Sequence, residues 1–206
     1  FPARGNGEDV DVFEDEACTH KLSTFFGLRQ QVMSEENATA GRHLYALGDM
    51  VERHVGVFAV SAGFGMEALT QQYRAEGKPD KLVMIEALAS RLAEAFAQKL
   101  HEDVRNTYWP CGTVPSVRPA FGYPHQPDHT EKRTCWSLLG VKEKVGITLT
   151  ESCMMFPQAS VSGLFLQSPL ARYFYIGNVG QDQIQEYASR KGISVKEAQS
   201  ALSTMC

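Results

Sequence analysis

Arg118-Pro-Ala-Phe-Gly-Tyr-Pro-His-Gln-Pro-Asp-His-Thr-Glu-Lys132 is the most constrained stretch of the chain. Pro119, Gly122, Pro124 and Pro127 all fall inside it, so it is neither helix nor central strand. Such a backbone presents Arg118, Tyr123, His125, Asp128 and His129 along a rigid path. A site built that way has little entropy left to lose on binding, although the same composition also suits an ordinary connector. Arg118 precedes a proline and is therefore extended. A guanidinium fixed in this way suits a bidentate pair with a carboxylate, or a surface salt bridge. His125, Asp128 and His129 carry metal-binding chemistry, but Pro127 breaks the helix that would align them on one face. Asp128 with Glu131 reads as a capping pair that opens a helix to about Val145, which Gly146 stops.

Working outward toward the N-terminus, the longest element is a helix from about Asp80 to Tyr108. Ile85, Leu88, Leu92, Phe96, Leu100 and Val104 recur every three to four residues and predict its apolar stripe. Glu94 lies off that stripe, among Ala87, Ser90, Ala97, Gln98 and His101. A carboxylate among small residues leaves room for a ligand, or is simply solvated and paired along the helix. Gly77-Lys-Pro-Asp80 separates this helix from one at Met66 to Ala75. Val55 to Val60 reads as a strand, closed by Gly63 and Gly65. Residues 1–9 read as irregular, Val10 to Phe13 as a short strand, Thr19 to Ser34 as helix and Glu35 to Arg42 as a loop.

Toward the C-terminus, Ile147 to Thr150, Ser160 to Leu166 and Tyr173 to Val179 read as strands. Gln181 to Lys191 is a helix ended by Gly192. Ser194-Val-Lys-Glu197 is a capping box that opens the last helix. Strands and helices alternate without regular βαβ units, which favours α+β. Gly63-Phe64-Gly65 lacks the full dinucleotide pattern, and Ser160-Val-Ser-Gly163 lacks the frame of a nucleophile elbow.

The 206 residues carry 24 acids against 20 bases, for a net charge of −4. That balance argues against nucleic-acid binding, which runs on basic patches. No apolar run reaches the ~20 residues needed to span a bilayer. The start, Phe1-Pro2, has no basic and then apolar leader pattern and reads as a processed or excised end. Cys18, Cys111, Cys135, Cys153 and Cys206 are odd in number and form no CxxC, which predicts reduced thiols in a cytoplasmic protein.

The 118–132 block resembles the hallmark of one family, the C-terminal activation domain of cobalamin-dependent methionine synthase. Other pieces agree in order: Arg91-Leu-Ala-Glu-Ala-Phe-Ala97 with Leu100-His-Glu102, Leu149-Thr-Glu-Ser152, Ser160-Val-Ser-Gly163, Tyr173-Phe174, Glu186-Tyr-Ala188 and Arg190-Lys-Gly-Ile-Ser194. Phe1-Pro2 and Phe25 to Gln31 resemble its earlier part. The resemblance covers essentially 1–206 as one activation domain. It implies a single bent α+β domain with a twisted, largely antiparallel sheet and flanking helices.

The same resemblance implies binding of S-adenosylmethionine, the methyl donor that restores methylcobalamin from an inactive cobalamin. The cobalamin would be held by a partner domain or subunit, and the electron would come from a flavodoxin-type donor. Activity, a methyltransferase reaction, is not expected of the chain alone. Site residues carry over as follows: Arg118 on the methionine carboxylate, Ala120 close by through its backbone, Tyr123 lining the pocket, Glu94 at the cationic end, and the pair Tyr173 and Phe174. No metal site is implied in this chain. The family's domain begins upstream of the match to Phe1, and that upstream stretch supplies an acidic ligand residue. The family also has a longer insertion before its Arg-Pro box, where only Pro110 to Val117 stands here, and Phe121 replaces a small residue or proline of the box. The competing reading is a non-catalytic sensor or assembly module that kept the S-adenosylmethionine pocket.

Overall fold

The computed structural model describes residues 1–31, 44–110 and 112–203. The expected loop at 35–42, and Cys111 and Cys206, lie outside these residues. The chain opens with a meander of β1 (Ala3–Asn6), β2 (Asp9–Phe13) and β3 (Lys21–Phe25). The pairing is antiparallel, with Ala3 opposite Val12 and Val10 opposite Phe25. Two expectations fail here. Residues 1–9 are not irregular, because Ala3–Asn6 pairs along β2. Thr19 to Ser34 is not helical over its described part. Leu22, Phe25, Phe26 and Leu28 have helical spacing, but pairing with buried β2 satisfies the backbone of 21–25 as a strand, and tertiary context overrides the local pattern.

The strand expected near Val55 is β4 (Gly56–Ser61). α1 (Met66–Ala75) follows, and then α2 (Pro79–Asp103), which begins on a proline and closes through a π-helical turn at Val104–Tyr108. β5 (Ser116–Val117) leads into the constrained block. Asp128 caps the next segment by accepting from the Thr130 N–H at 2.7 Å. The helix it opens is broken: a 3-10 turn at His129–Glu131, α3 (Lys132–Leu139), a left-handed Gly140, then α4 (Val141–Val145). β6 (Thr148–Leu149) and β7 (Met155–Phe156) form a hairpin.

β8 (Ser160–Gln167) lies between β4 and β5, antiparallel to both. Every ladder is antiparallel, as expected, but the strands divide among three sheets among the described residues. Tyr173 to Val179 makes no ladder. Its backbone bonds go to loops instead: the Gln31 N–H donates to the Ile176 carbonyl at 2.6 Å, and the Ile176 N–H donates to the Pro124 carbonyl at 3.4 Å. α5 (Gln181–Lys191) and α6 (Val195–Ala201) close the fold, the latter with the full Ser194/Glu197 capping box.

α2 reverses its expected orientation. Its buried residues are Ala89, Ala93, Ala97 and His101. Leu88, Leu92 and Phe96 of the predicted stripe are 54%, 52% and 49% exposed, and only Leu100 and Val104 of that stripe pack against the core. The sheet explains this. Phe58 of β4 and Phe165 of β8 stack at 4.6 Å and fill the space, and His101 stacks on Phe165 at 5.2 Å. Small residues at i, i+4 and i+8 let the helix approach that bulk closely, as ridges into grooves require.

Candidate functional site

The block from Ser116 to Phe121 runs along one side of β8. Val117 pairs with Leu166, the Leu164 N–H donates to the Pro119 carbonyl at 2.9 Å, and the Phe121 N–H donates to the Ser162 carbonyl at 3.0 Å. Gly163 makes this possible, since a Cβ there would stand 2.2 Å from the Pro119 carbonyl oxygen. Arg118 is thereby held beside the face of α2 that carries Glu94 and Gln98. Its NH1 is 3.5 Å from Glu94 Oε2, and its NH2 donates to Gln98 Oε1 at 3.4 Å. Its Nε is buried with no partner among the described residues.

After Phe121 the chain turns at Gly122, whose φ of +93° favours glycine. The Gly122 N–H donates to the Gln126 carbonyl at 2.7 Å, and the Gln126 N–H donates to the Tyr123 carbonyl at 2.8 Å. This tight loop carries Tyr123 toward α2, where its phenol donates to Glu94 Oε1 at 2.7 Å. That hydrogen bond to Glu94, helped by burial, pushes the phenol up to about 12. Tyr173 reaches the site from the irregular segment, and its hydroxyl oxygen accepts from the Arg118 N–H at 2.9 Å.

The far end of the block is clamped. Lys191, at the end of α5, donates to Glu131 Oε1 at 2.6 Å and to Thr130 Oγ1 at 2.7 Å, and it also contacts Asp128. Tyr187 donates to Asp128 Oδ2 at 2.6 Å. Burial lifts Glu131 to about 7 despite the opposing charge of Lys191. Burial works against the Lys191 charge, but Glu131 and Asp128 outweigh it and hold the ammonium above its ordinary value. The other Glu131 oxygen accepts from the Phe26 N–H at 2.8 Å, and Gln126 Nε2 donates to the Phe26 carbonyl at 2.9 Å. Glu131 thus ties the block to the meander instead of completing the expected capping pair.

Four predicted site residues, Glu94, Arg118, Tyr123 and Tyr173, come together through direct bonds. Ala120 lies beside them, bridged to Gly163 with its methyl in the core. Phe174 does not join them: it is buried in the core cluster with Phe121 and Ile176. In this extended run its side chain packs inward while Tyr173 and Tyr175 stay more than half exposed. His125 lies between Tyr123 and Tyr173. His129 sits under Gly122, with its Nδ1 against the Lys132 ammonium. Among the described residues no group of three His, Cys, Asp or Glu side chains is placed to hold a metal ion. Sequence reasoning missed Gln98, Gly163 and the Lys191 clamp. Only the Ser-Gly step at 162–163 carried a local signal, a glycine inside a strand pattern.

A cation facing a carboxylate, with exposed tyrosine rings on the flank, suits a zwitterionic ligand that also carries an apolar or cationic portion. The family model described as "Vitamin B12 dependent methionine synthase, activation domain" matches residues 1–192. Among solved structures, one titled as the MetH reactivation domain bound to AdoHcy is similar to this chain. It has a TM-score of 0.90 and 38% identity, over 100% of this chain and 68% of that one. Among the described residues, no helix is long and apolar enough to cross a membrane.

Proposed function

The chain belongs to the vitamin B12-dependent methionine synthase activation-domain family, and we propose from that premise that it binds S-adenosylmethionine and supports regeneration of methylcobalamin on a partner domain. The observation that carries this reading is the Arg118–Glu94 pair at 3.5 Å, flanked by the exposed rings of Tyr123 and Tyr173. The similarity to a reactivation domain bound to AdoHcy supports it. The residues fit the ligand chemically. Arg118, whose buried Nε has no partner among the described residues, is a fork for the amino-acid carboxylate. Glu94, 42% exposed, is the complementary anion for the ammonium or the sulfonium.

When bound, S-adenosylmethionine supplies an electrophilic methyl group on a sulfonium. The residues of this chain orient it. Arg118 exchanges its contacts with Glu94 and Gln98 for the ligand carboxylate. Glu94, released from Arg118, turns its charge to the ligand's positive end. The tyrosine rings shield that end from water on one side and favour a cation on their faces. The methyl acceptor would be cobalamin on a partner domain or subunit, with the electron from a flavodoxin-type donor. On this reading residues 1–206 work as one activation domain and are not catalytic alone.

The test is calorimetric titration of the chain with S-adenosylmethionine, beside Arg118→Ala. Wild type binds, and the variant loses one charge-assisted pair worth about 1.5–3 kcal/mol, or roughly ten- to a hundredfold in affinity. Equal affinities would remove Arg118 from the site. Absence of binding by wild type would end the reading.

A further inference from the structure

We propose that His125 is a further ligand-binding residue of this site, its Nε2 hydrogen-bonding the nucleoside half of the ligand from a wall of three rings. The inference rests on the S-adenosylmethionine reading above and assigns the half of the ligand that Arg118 and Glu94 leave unread. His125 lies in the tight loop closed by Gly122 and Gln126, two residues beyond Tyr123. Its ring stacks against Tyr123 at 6.2 Å between centroids and 23° between planes. Tyr173 lies against the same ring at 5.3 Å and 54°. Tyr123, His125 and Tyr173 thus form one continuous aromatic surface beside the Arg118–Glu94 pair.

Two features set His125 apart from a ring that merely packs. Its Nε2 is buried and has no hydrogen-bond partner among the described residues. An imidazole nitrogen left in that state is destabilising, and native structures keep few of them without a reason. The rings beside it, Tyr123 and Tyr173, are themselves 47% and 56% exposed, and the imidazole as a whole is only partly buried. Tyr173 is tied to the site through the bond from the Arg118 N–H, and Arg118 is the residue that meets the ligand carboxylate.

The charge of the ring points to the same half of the ligand. Burial holds His125 down to about 4, so the imidazole is neutral near pH 7. A neutral ring does not repel a sulfonium and carries no charge to pair with a carboxylate. What it offers is a flat face for a purine and one nitrogen for a hydrogen-bonding edge, the combination that reads a nucleoside.

The experiment is titration of the whole chain with S-adenosylhomocysteine and with S-adenosylmethionine, comparing wild type, His125→Phe and His125→Ala. Phenylalanine keeps the ring and the stacking but has no nitrogen. His125→Phe should bind both ligands about three- to tenfold more weakly, the effect of one neutral hydrogen bond. His125→Ala should bind more weakly still, having lost the ring as well. The thermal midpoint of ligand-free His125→Phe should equal or exceed that of wild type, because an unsatisfied buried nitrogen is gone, so weaker binding cannot be traced to unfolding. If wild type binds and His125→Phe binds equally well, His125 only props its neighbours and the proposal is wrong. A loss confined to the methylated ligand would place His125 at the sulfonium and overturn the nucleoside assignment. If wild type binds neither ligand, the site reading fails first and this inference falls with it.

Discussion

Gly163→Ala is the substitution for which the structure specifies the largest coupled effect on folding and binding. The new Cβ would stand 2.2 Å from the Pro119 carbonyl oxygen, 2.8 Å from Ala120 Cα and 3.0 Å from the Pro119 carbonyl carbon. All three are backbone atoms, so no side chain can swing away to relieve the contact. Ordinary contact distance is about 3.5 Å, so the 118–121 segment must withdraw from β8 by roughly 1 Å. That withdrawal stretches the two bonds holding it, from the Leu164 N–H to the Pro119 carbonyl and from the Phe121 N–H to the Ser162 carbonyl. Leu164 and Phe121 are buried, so water does not replace the lost partners. At about 1–3 kcal/mol for each unsatisfied buried group, with partial relaxation, the net loss is about 2–4 kcal/mol. Alanine's better strand behaviour returns no more than about 1 kcal/mol. Arg118 moves with the segment, so affinity for S-adenosylmethionine should fall at least tenfold. Urea unfolding measures the first effect and calorimetry the second. Gly7→Ala, in the β1–β2 turn, is the control: its φ is +63° with open space around it, so it strains the backbone without touching the loop. A Gly163→Ala protein with wild-type midpoint and wild-type affinity would refute the claim that this close approach positions the site.

Other perturbations separate the parts of the site. Glu94→Gln keeps size and helix propensity, so the urea midpoint should hold; S-adenosylmethionine should weaken more than S-adenosylhomocysteine if Glu94 reads the sulfonium, both alike if it reads the ammonium, and neither if it is only a solvated helix residue. Lys191→Met leaves Asp128 and Glu131 buried without their cation and should destabilise by about 3–5 kcal/mol in urea; a change below 1 kcal/mol would show that the clamp is dispensable. Burial holds His101 and His125 at about 4, with Arg118 adding to the effect at His101. Between pH 6.5 and 4 the unfolded chain therefore binds protons that the folded chain does not, and stability should fall as pH drops through that window. His125→Phe should shallow the slope; an unchanged slope would mean that His125 is not held neutral.

Elements whose signals are local were legible in the sequence. α5 ends at Gly192 and α6 opens with its capping box, because those bonds join residues three or four apart. β4 follows from its β-branched run, β8 from an apolar run bounded by turn residues, and α2 from its periodicity. Arg118, Tyr123 and Glu94 stood out because prolines and small neighbours mark places where side chains are held for use. Which side of α2 faces inward was not legible. The alanine ridge is buried because Phe58 and Phe165 already fill the sheet face, and that bulk comes from strands more than twenty residues away in either direction. β3 overrode a helical spacing because β2, earlier in the chain, offered a ladder. Phe174 went to the core and Tyr173 to the candidate site because alternate side chains of the extended 173–175 run point to opposite sides, and only the surrounding fold decides which side is buried. Lys191 looks in sequence like an ordinary helix-terminal base. Only the fold brings it to Asp128 and Glu131, sixty residues earlier, where burial makes a surface charge pair into the anchor of the constrained block.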